Sequence, residues 1–238
     1  MASNKSKFNN NNSAPTISNR TNSKFAKIAP LNKAQADLIN SFKAKVVTVA
    51  VGSAGTGKSF LTAVTAAKML MDKDVSKIVI TRPNVPISTS LGFFPGTLEE
   101  KVGPWIIPIM STLEAYLGKG VIESQVKNGN IEAVPFETIR GRSFEDTFVI
   151  LDEAQNTTLE EMKAFVTRLG EHSTCAITGD LTQSDIGSVN GLSHLLKLID
   201  KSEALKRYVG VIEFTSDDIV RSGICQLFVE AFEAEKKS

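Results

Sequence analysis

Eight consecutive residues, Gly52-Ser53-Ala54-Gly55-Thr56-Gly57-Lys58-Ser59, fit the spacing G-x-x-x-x-G-K-[ST]. That spacing can cradle a polyphosphate. Glycines let the backbone curl until successive N–H groups point at phosphate oxygens. A helix beginning where the loop ends aims its positive dipole end at the same place. Lys58 is then placed to reach the β- and γ-phosphates as a point charge. Ser59 is placed to give its hydroxyl to a magnesium ion bridging them. Gly52 to Phe60 are therefore the expected nucleotide-binding residues, with ATP and Mg2+ as the expected ligands.

A second group is Asp152-Glu153, which ends the run Thr147-Phe148-Val149-Ile150-Leu151. Two adjacent acids closing an apolar strand are odd as structure alone, because buried charge needs a partner. Beside a phosphate loop they have a chemical use. Asp152 is expected to hold magnesium through its water shell, and Glu153 to polarise an attacking water.

A third group follows Thr174-Cys175-Ala176-Ile177-Thr178, where Thr178, Asp180 and Gln183 are candidates to sense the γ-phosphate. An Asp-turn after a strand would explain Asp180 but not Gln183. Arginines that could stabilise transition-state charge are Arg221, from its own chain, and Arg142 or Arg168, acting on a neighbouring subunit. Arg142 has a plain alternative in surface ion pairing, as Arg221 has with Asp217 or Asp218. Gln35 either reads an adenine edge with its amide or completes a capping box with Asn32.

These groups need a scaffold. Val46–Val51, Lys77–Thr81, Ile131–Val134, Thr147–Leu151, Thr174–Thr178 and Val209–Phe214 read as strands, being short, apolar and rich in β-branched residues. Helices are expected near 32–42, 60–71, 99–117, 159–169, 188–199 and 224–234, with Pro104 and Pro108 bending or breaking the third. The alternation implies an α/β fold with one mostly parallel sheet covered by helices on both faces. Residues 82–96 form a long loop after a strand's carboxyl end, where ligands bind in open α/β sheets. Phe93 and Phe94 there are either base-stacking platforms or anchors.

Composition narrows the class. A chain of 238 residues with 42% hydrophobic content can bury a substantial core. No apolar run approaches the ~20 residues that span a bilayer, so no membrane partner and a cytoplasmic location are expected. Residues 1–26 are rich in Asn, Ser and Thr and read as a disordered tail, with 27–238 as a single domain. Lys5, Lys7, Arg20, Lys24 and Lys27 are unmatched by any acid before residue 28, although the formal net charge is only +1. Such an arm either solubilises or brushes nucleic acid. Cys175 and Cys225, far apart, read as packing residues.

Taken together, the sequence resembles the PhoH-like ATPases. The resemblance rests on Gly52 to Ser59, Thr81-Arg82-Pro83, Leu91 to Gly96 with Glu100-Lys101-Val102, and Arg140-Gly141-Arg142. It continues through Val149 to Thr158, Thr167 to Gly170, Thr178 to Gln183, and Ile219-Val220-Arg221. It implies a RecA-like core similar to the first motor domain of superfamily 1 helicases, an ATPase activity and a homo-hexameric ring. Some relatives are linked to RNA, so RNA or another single-stranded nucleic acid is the implied partner. Ribonuclease activity is not carried over, since these residues hold neither a fused nuclease domain nor a second acidic cluster. Two other classes are a nucleotide-gated binding protein with slow hydrolysis and a small-molecule kinase. The kinase has little use for Asp-Glu-Ala-Gln followed by Gly-Asp-x-x-Gln.

Overall fold

The computed structural model describes residues 28–83 and 98–220, together with 223–224, 227–228 and 231. Six strands form one sheet: β1 (Val47–Gly52), β2 (Lys77–Thr81), β3 (Ile131–Ala133), β4 (Thr147–Leu151), β5 (Thr174–Gly179) and β6 (Val209–Phe214). Their order across the sheet is β3-β2-β4-β5-β1-β6. Every pairing is parallel. Parallel strands covered on both faces bury nearly every side chain. β4 shows it: all five of its residues are buried. The edge strand β6 is half-exposed instead.

Side chains alternate across the sheet with period two. On one face Phe148 and Ile150 join Ile78, Ile80, Leu61, Leu38 and Phe42. This layer is covered by α1 (Lys33–Ala44), α2 (Lys58–Asp72) and α3 (Leu98–Leu117). On the other face Val149 and Leu151 pack with Ile177, Met162, Phe165 and Leu192. That layer is covered by α5 (Leu159–Val166) and α6 (Gly191–Lys201). The sequence motifs thus lie on a two-layered core, and the carboxyl ends of β1, β4 and β5 come together on one edge of it.

Helix starts follow local chemistry. Asn32 caps α1 by accepting from the Gln35 N–H at 2.9 Å. Thr158 and Glu161 form a reciprocal capping box at α5, and Asn190 and Ser193 do the same at α6. A cap of this kind is worth about 1 kcal/mol. At α1 the box is not closed as the spacing suggested, because the Gln35 side chain accepts from Leu31 N–H.

The helices depart from expectation in three places. α3 runs through Pro104 and Pro108 without interruption. Each proline removes a backbone donor at a cost of about 3 kcal/mol. The buried stripe Ile106, Ile109, Leu113 and Leu117 supplies an offsetting burial of about 1.5–3 kcal/mol per side chain. The short helices α4 (Lys119–Lys127) and α7 (Glu203–Tyr208) were not foreseen, and α6 starts at Gly191, after its Asn190 cap, and not at Ser188. No helix among the described residues is long and apolar enough to cross a membrane.

Candidate nucleotide site

β1 ends at Gly52, the loop turns, and α2 begins at Lys58. Gly52 has φ +131°, and a Cβ there would lie 1.9 Å from the Phe214 carbonyl oxygen at the end of β6. Only glycine fits that approach. The loop is held from three sides. Val220 N–H donates to Gly55 O at 3.0 Å. Gln35 Nε2 donates to Thr56 O at 3.0 Å. Lys58 Nζ donates to Gly52 O and Ser53 O, both at 2.7 Å, and to Thr56 Oγ1 at 3.2 Å. Lys58 is only 8% exposed and lies 5.8 Å from the centre of the Phe214 ring. Its ammonium thus sits inside the ring of carbonyls that a phosphate-binding loop turns about.

Across the site stands Asp152, the first residue after β4. Its N–H donates to Thr81 O at 3.1 Å, which fixes it to the end of β2. Asp152 Oδ1 accepts from Ser59 Oγ at 3.0 Å and from Thr178 Oγ1 at 2.5 Å. β5 separates β1 from β4, so Thr178 on that middle strand bridges the gap between the loop and the acid. Thr178, a sensor candidate from sequence, therefore holds Asp152. A hydroxyl and a carboxylate in contact are hard oxygen donors of the kind that suit magnesium.

Glu153 follows in a left-handed conformation, φ +54°, rare for a side chain without special holding. Its Oε2 accepts from Gln155 Nε2 at 2.5 Å, and its Oε1 lies 3.7 Å from Arg82 Nη2. Asp180 turns the exit of β5 by accepting at Oδ1 from Thr182 N–H and Thr182 Oγ1, at 2.9 and 2.7 Å. Its Oδ2 accepts from Gln183 Nε2 at 2.8 Å. The Asp-turn weighed for this loop thus forms, and Gln183 is exposed beside it, bonded to Asp180.

The remaining candidates lie elsewhere. Gln35 is 0% exposed and its amide joins Leu31 to Thr56, so an adenine contact would require it to leave these bonds. Arg142 Nη1 pairs with Glu132 Oε1 at 2.6 Å, the surface ion pair weighed as its alternative. Lys77 joins the same carboxylate at 2.5 Å. Burial pushes the Glu132 carboxyl up, but the two cationic hydrogen-bond donors outweigh it and hold it below the ordinary value. Arg142 shares a depression with Lys77 and Thr147, the first residues of β2 and β4. It therefore lies at the amino end of the sheet, away from its own phosphate loop. Arg168 is nearby: its N–H groups donate to Arg140 O and Thr167 Oγ1, each at 3.4 Å, and its carbonyl accepts from Phe144 N–H. Arg221, Phe93, Phe94 and Cys225 lie outside the described residues.

Sequence reasoning gave no role to Gln155 or Arg82, the two groups on Glu153. The signal was faint. Gln155-Asn156-Thr157 is a polar run directly after the acids, and all three residues are buried.

A parallel α/β sheet with a glycine-rich loop, lysine and serine facing an Asp-Glu pair defines a RecA-like P-loop nucleotide-binding fold. Within that class the chain belongs to the PhoH-like proteins, whose family model matches residues 27–233. It is 40% identical over 205 residues to protein PhoH of Escherichia coli (strain K12), covering 84% of this chain and 57% of that protein. It is 38% identical over 219 residues to a PhoH-like protein of Bacillus subtilis (strain 168), covering 90% and 66%. The chain thus spans less than two thirds of the length of these curated relatives. The large terminase from a thermophilic bacteriophage is similar in fold, with a TM-score of 0.52 at 10% identity over 82% of this chain and 48% of that one.

Proposed function

We propose that this chain binds ATP with magnesium and hydrolyses it, working as a homo-hexameric ring on RNA or another single-stranded nucleic acid. The observation that supports it best is the Ser59–Asp152 contact of 3.0 Å, which puts the phosphate loop and the acid pair at one point. Loop amides and Lys58 bind the phosphates. Ser59 and Asp152 would hold the magnesium, which when bound neutralises charge on the β- and γ-phosphates. Glu153 takes a proton from water as its oxygen bonds to the γ-phosphorus and the bond to the β-phosphate oxygen breaks, giving ADP and phosphate. Gln183 contacts the γ-phosphate.

The hexameric ring rests on the resemblance; what one core lacks, as a motor, is the second wall of the cleft, which a neighbouring subunit would supply. Arg142 and Arg168 lie at the far end of the sheet from their own loop, so a finger role for either is a role in a neighbour's site. Arg168, held by two bonds of 3.4 Å, is the better candidate, since Arg142 is engaged at 2.6 Å with Glu132. Arg221 is kept as the cis candidate on the resemblance alone. RNA as the partner likewise rests on the resemblance and on the basic N-terminal residues, and the cytoplasmic location on the composition.

The test is steady-state ATP hydrolysis with and without single-stranded RNA, with Glu153→Gln as control. RNA-stimulated turnover that the variant loses is expected. Slow turnover indifferent to RNA would favour the nucleotide-gated binding protein. Bound ATP with no hydrolysis would overturn the roles of Glu153 and Gln183. Arg168→Ala should lose turnover and keep nucleotide binding; equal loss of both removes its finger role.

A further inference from the structure

Gln155 is 1% exposed, and its side chain is the direct hydrogen-bond partner of Glu153. We infer that Gln155 is the positioning residue for Glu153, tying it to the exit of β5 and so making its action depend on Gln183. The inference rests on the hydrolytic reading above.

A buried amide must place both its ends. Gln155 Oε1 accepts from the Asp180 N–H at 3.0 Å. Only an acceptor can face that donor, so the amide nitrogen must be the end that faces Glu153. The residue is fixed along its main chain as well, since Ser184 Oγ donates to Gln155 O at 2.9 Å. Its neighbour Asn156 exchanges two bonds with Asp185, at 3.1 and 2.9 Å. Gly179 lets the strand come this close, because a Cβ there would meet Gln155 Oε1 at 2.8 Å. The loop carrying Glu153 and the loop carrying Gln183 are therefore stitched into one unit.

The consequence for Glu153 is directional. Its backbone is left-handed, and Gln155 engages Oε2. That leaves Oε1, near Arg82, as the oxygen to take the proton. From there the path runs from Glu153 through the Gln155 amide to Asp180, and from Asp180 Oδ2 to Gln183. A displacement of Gln183 on meeting a γ-phosphate acts on Glu153 through Gln155.

The experiment compares wild type, Glu153→Gln, Gln155→Met and Gln155→Glu by kcat, KM, pH–rate profile and affinity for a fluorescent ATP analogue. Gln155→Met keeps the length and removes both bonds. It should lower kcat on the order of 10²-fold, the scale of a misplaced reacting group. Analogue affinity should stay within about twofold, because the lost bonds are to Glu153 and Asp180 and none is to the phosphate loop. Gln155→Glu puts two carboxylates in contact, which share one proton and raise the pKa of the pair. Its turnover should survive at low pH and fall as pH rises through that raised value, a limb that wild type lacks.

Gln155→Met at wild-type kcat, or with affinity falling in parallel with kcat, overturns the inference. So does Gln155→Glu with a wild-type pH profile, which decides the matter should Gln155→Met fail to fold. If wild type itself does not hydrolyse ATP, the hydrolytic reading falls and this inference with it. If wild type turns over and Glu153→Gln does not, while Gln155→Met is unchanged, this inference alone falls.

Discussion

A Cβ built on Gly52 would lie 1.9 Å from the Phe214 carbonyl oxygen and 2.7 Å from its carbonyl carbon. Both are main-chain atoms of β6 and cannot swing aside as the end of a side chain does. Gly52 and Phe214 are register partners, so the collision falls where the phosphate loop leaves the sheet. Gly52→Ala therefore carries two costs. A side chain at φ +131° costs about 1–3 kcal/mol. Forcing extra volume into a packed site costs about 1–3 kcal/mol more. Against a total stability of about 5–15 kcal/mol, that sum is a large fraction. The cheapest relief peels Phe214 from β1, which also moves its ring from Lys58. Gly129→Ala is the control, since Gly129 has φ +74° but no heavy atom within 4 Å of its ideal Cβ. It incurs only the backbone term, about 1–2 kcal/mol. Urea unfolding followed by circular dichroism reads the difference. With a slope of about 2–3 kcal/mol/M, the Gly52→Ala midpoint should fall by about 0.7–3 M and that of Gly129→Ala by about 0.3–1 M. Nucleotide affinity should fall with Gly52→Ala and hold with Gly129→Ala. Equal midpoints for the two variants would refute the claim that β6 braces the loop.

Other outcomes follow from neighbouring contacts. Thr178→Val removes the 2.5 Å bond to Asp152 while keeping the shape, and should raise the half-saturating magnesium concentration for turnover by about 10–100-fold; an unchanged value would remove Thr178 from the site. Glu132 has its carboxyl held low by Lys77 and Arg142 despite burial, so its contribution is present above the ordinary carboxylate value and is lost as pH falls through the depressed one. Glu132→Gln should thus be less stable than wild type at neutral pH by up to about 1 kcal/mol, with the gap closing in acid, as paired melts across pH would report. Burial pushes the Cys175 thiol far up and encloses it completely. In a Cys225→Ser background it should ignore a thiol reagent until denaturant unfolds the sheet, and rapid labelling of the native chain would contradict its burial.

The sheet was legible because its strands are nearly unbroken apolar runs. Lys77–Thr81 and Val209–Phe214 have the bounds read from sequence, and Val47–Gly52 is displaced by one residue. The phosphate loop and acid pair were legible because their chemistry dictates fixed spacing. Tertiary packing was not: nothing local tells that α3 survives two prolines, since the offset comes from contacts with distant residues. Gln35 shows the same limit, as the bond from its N–H to the Asn32 cap is local but the bond from its side chain to Thr56 spans two elements. Arg142 was ambiguous for a different reason. Its partner Glu132 is close in sequence, but only the turn between them shows that the two side chains meet. Gln155 escaped notice because a buried glutamine has no spacing of its own; its role exists only once β4 and β5 stand side by side.

The all-parallel order also sets when the site can form. Parallel pairing needs a crossover each time, and such non-local contacts are slow to gain. β1, which carries the phosphate loop, is made early but pairs with nothing near it in sequence. Val47 meets Cys175 on one side and Val209 on the other. At synthesis rates of about 5–20 residues per second, β1 therefore waits several seconds as an unpaired apolar strand. Even then its loop lacks the brace from Phe214 until β6 has emerged. A nascent chain should become able to hold nucleotide only at the end of this span, and in one step. Until then β1 is the segment most in need of shielding by the ribosome or a chaperone.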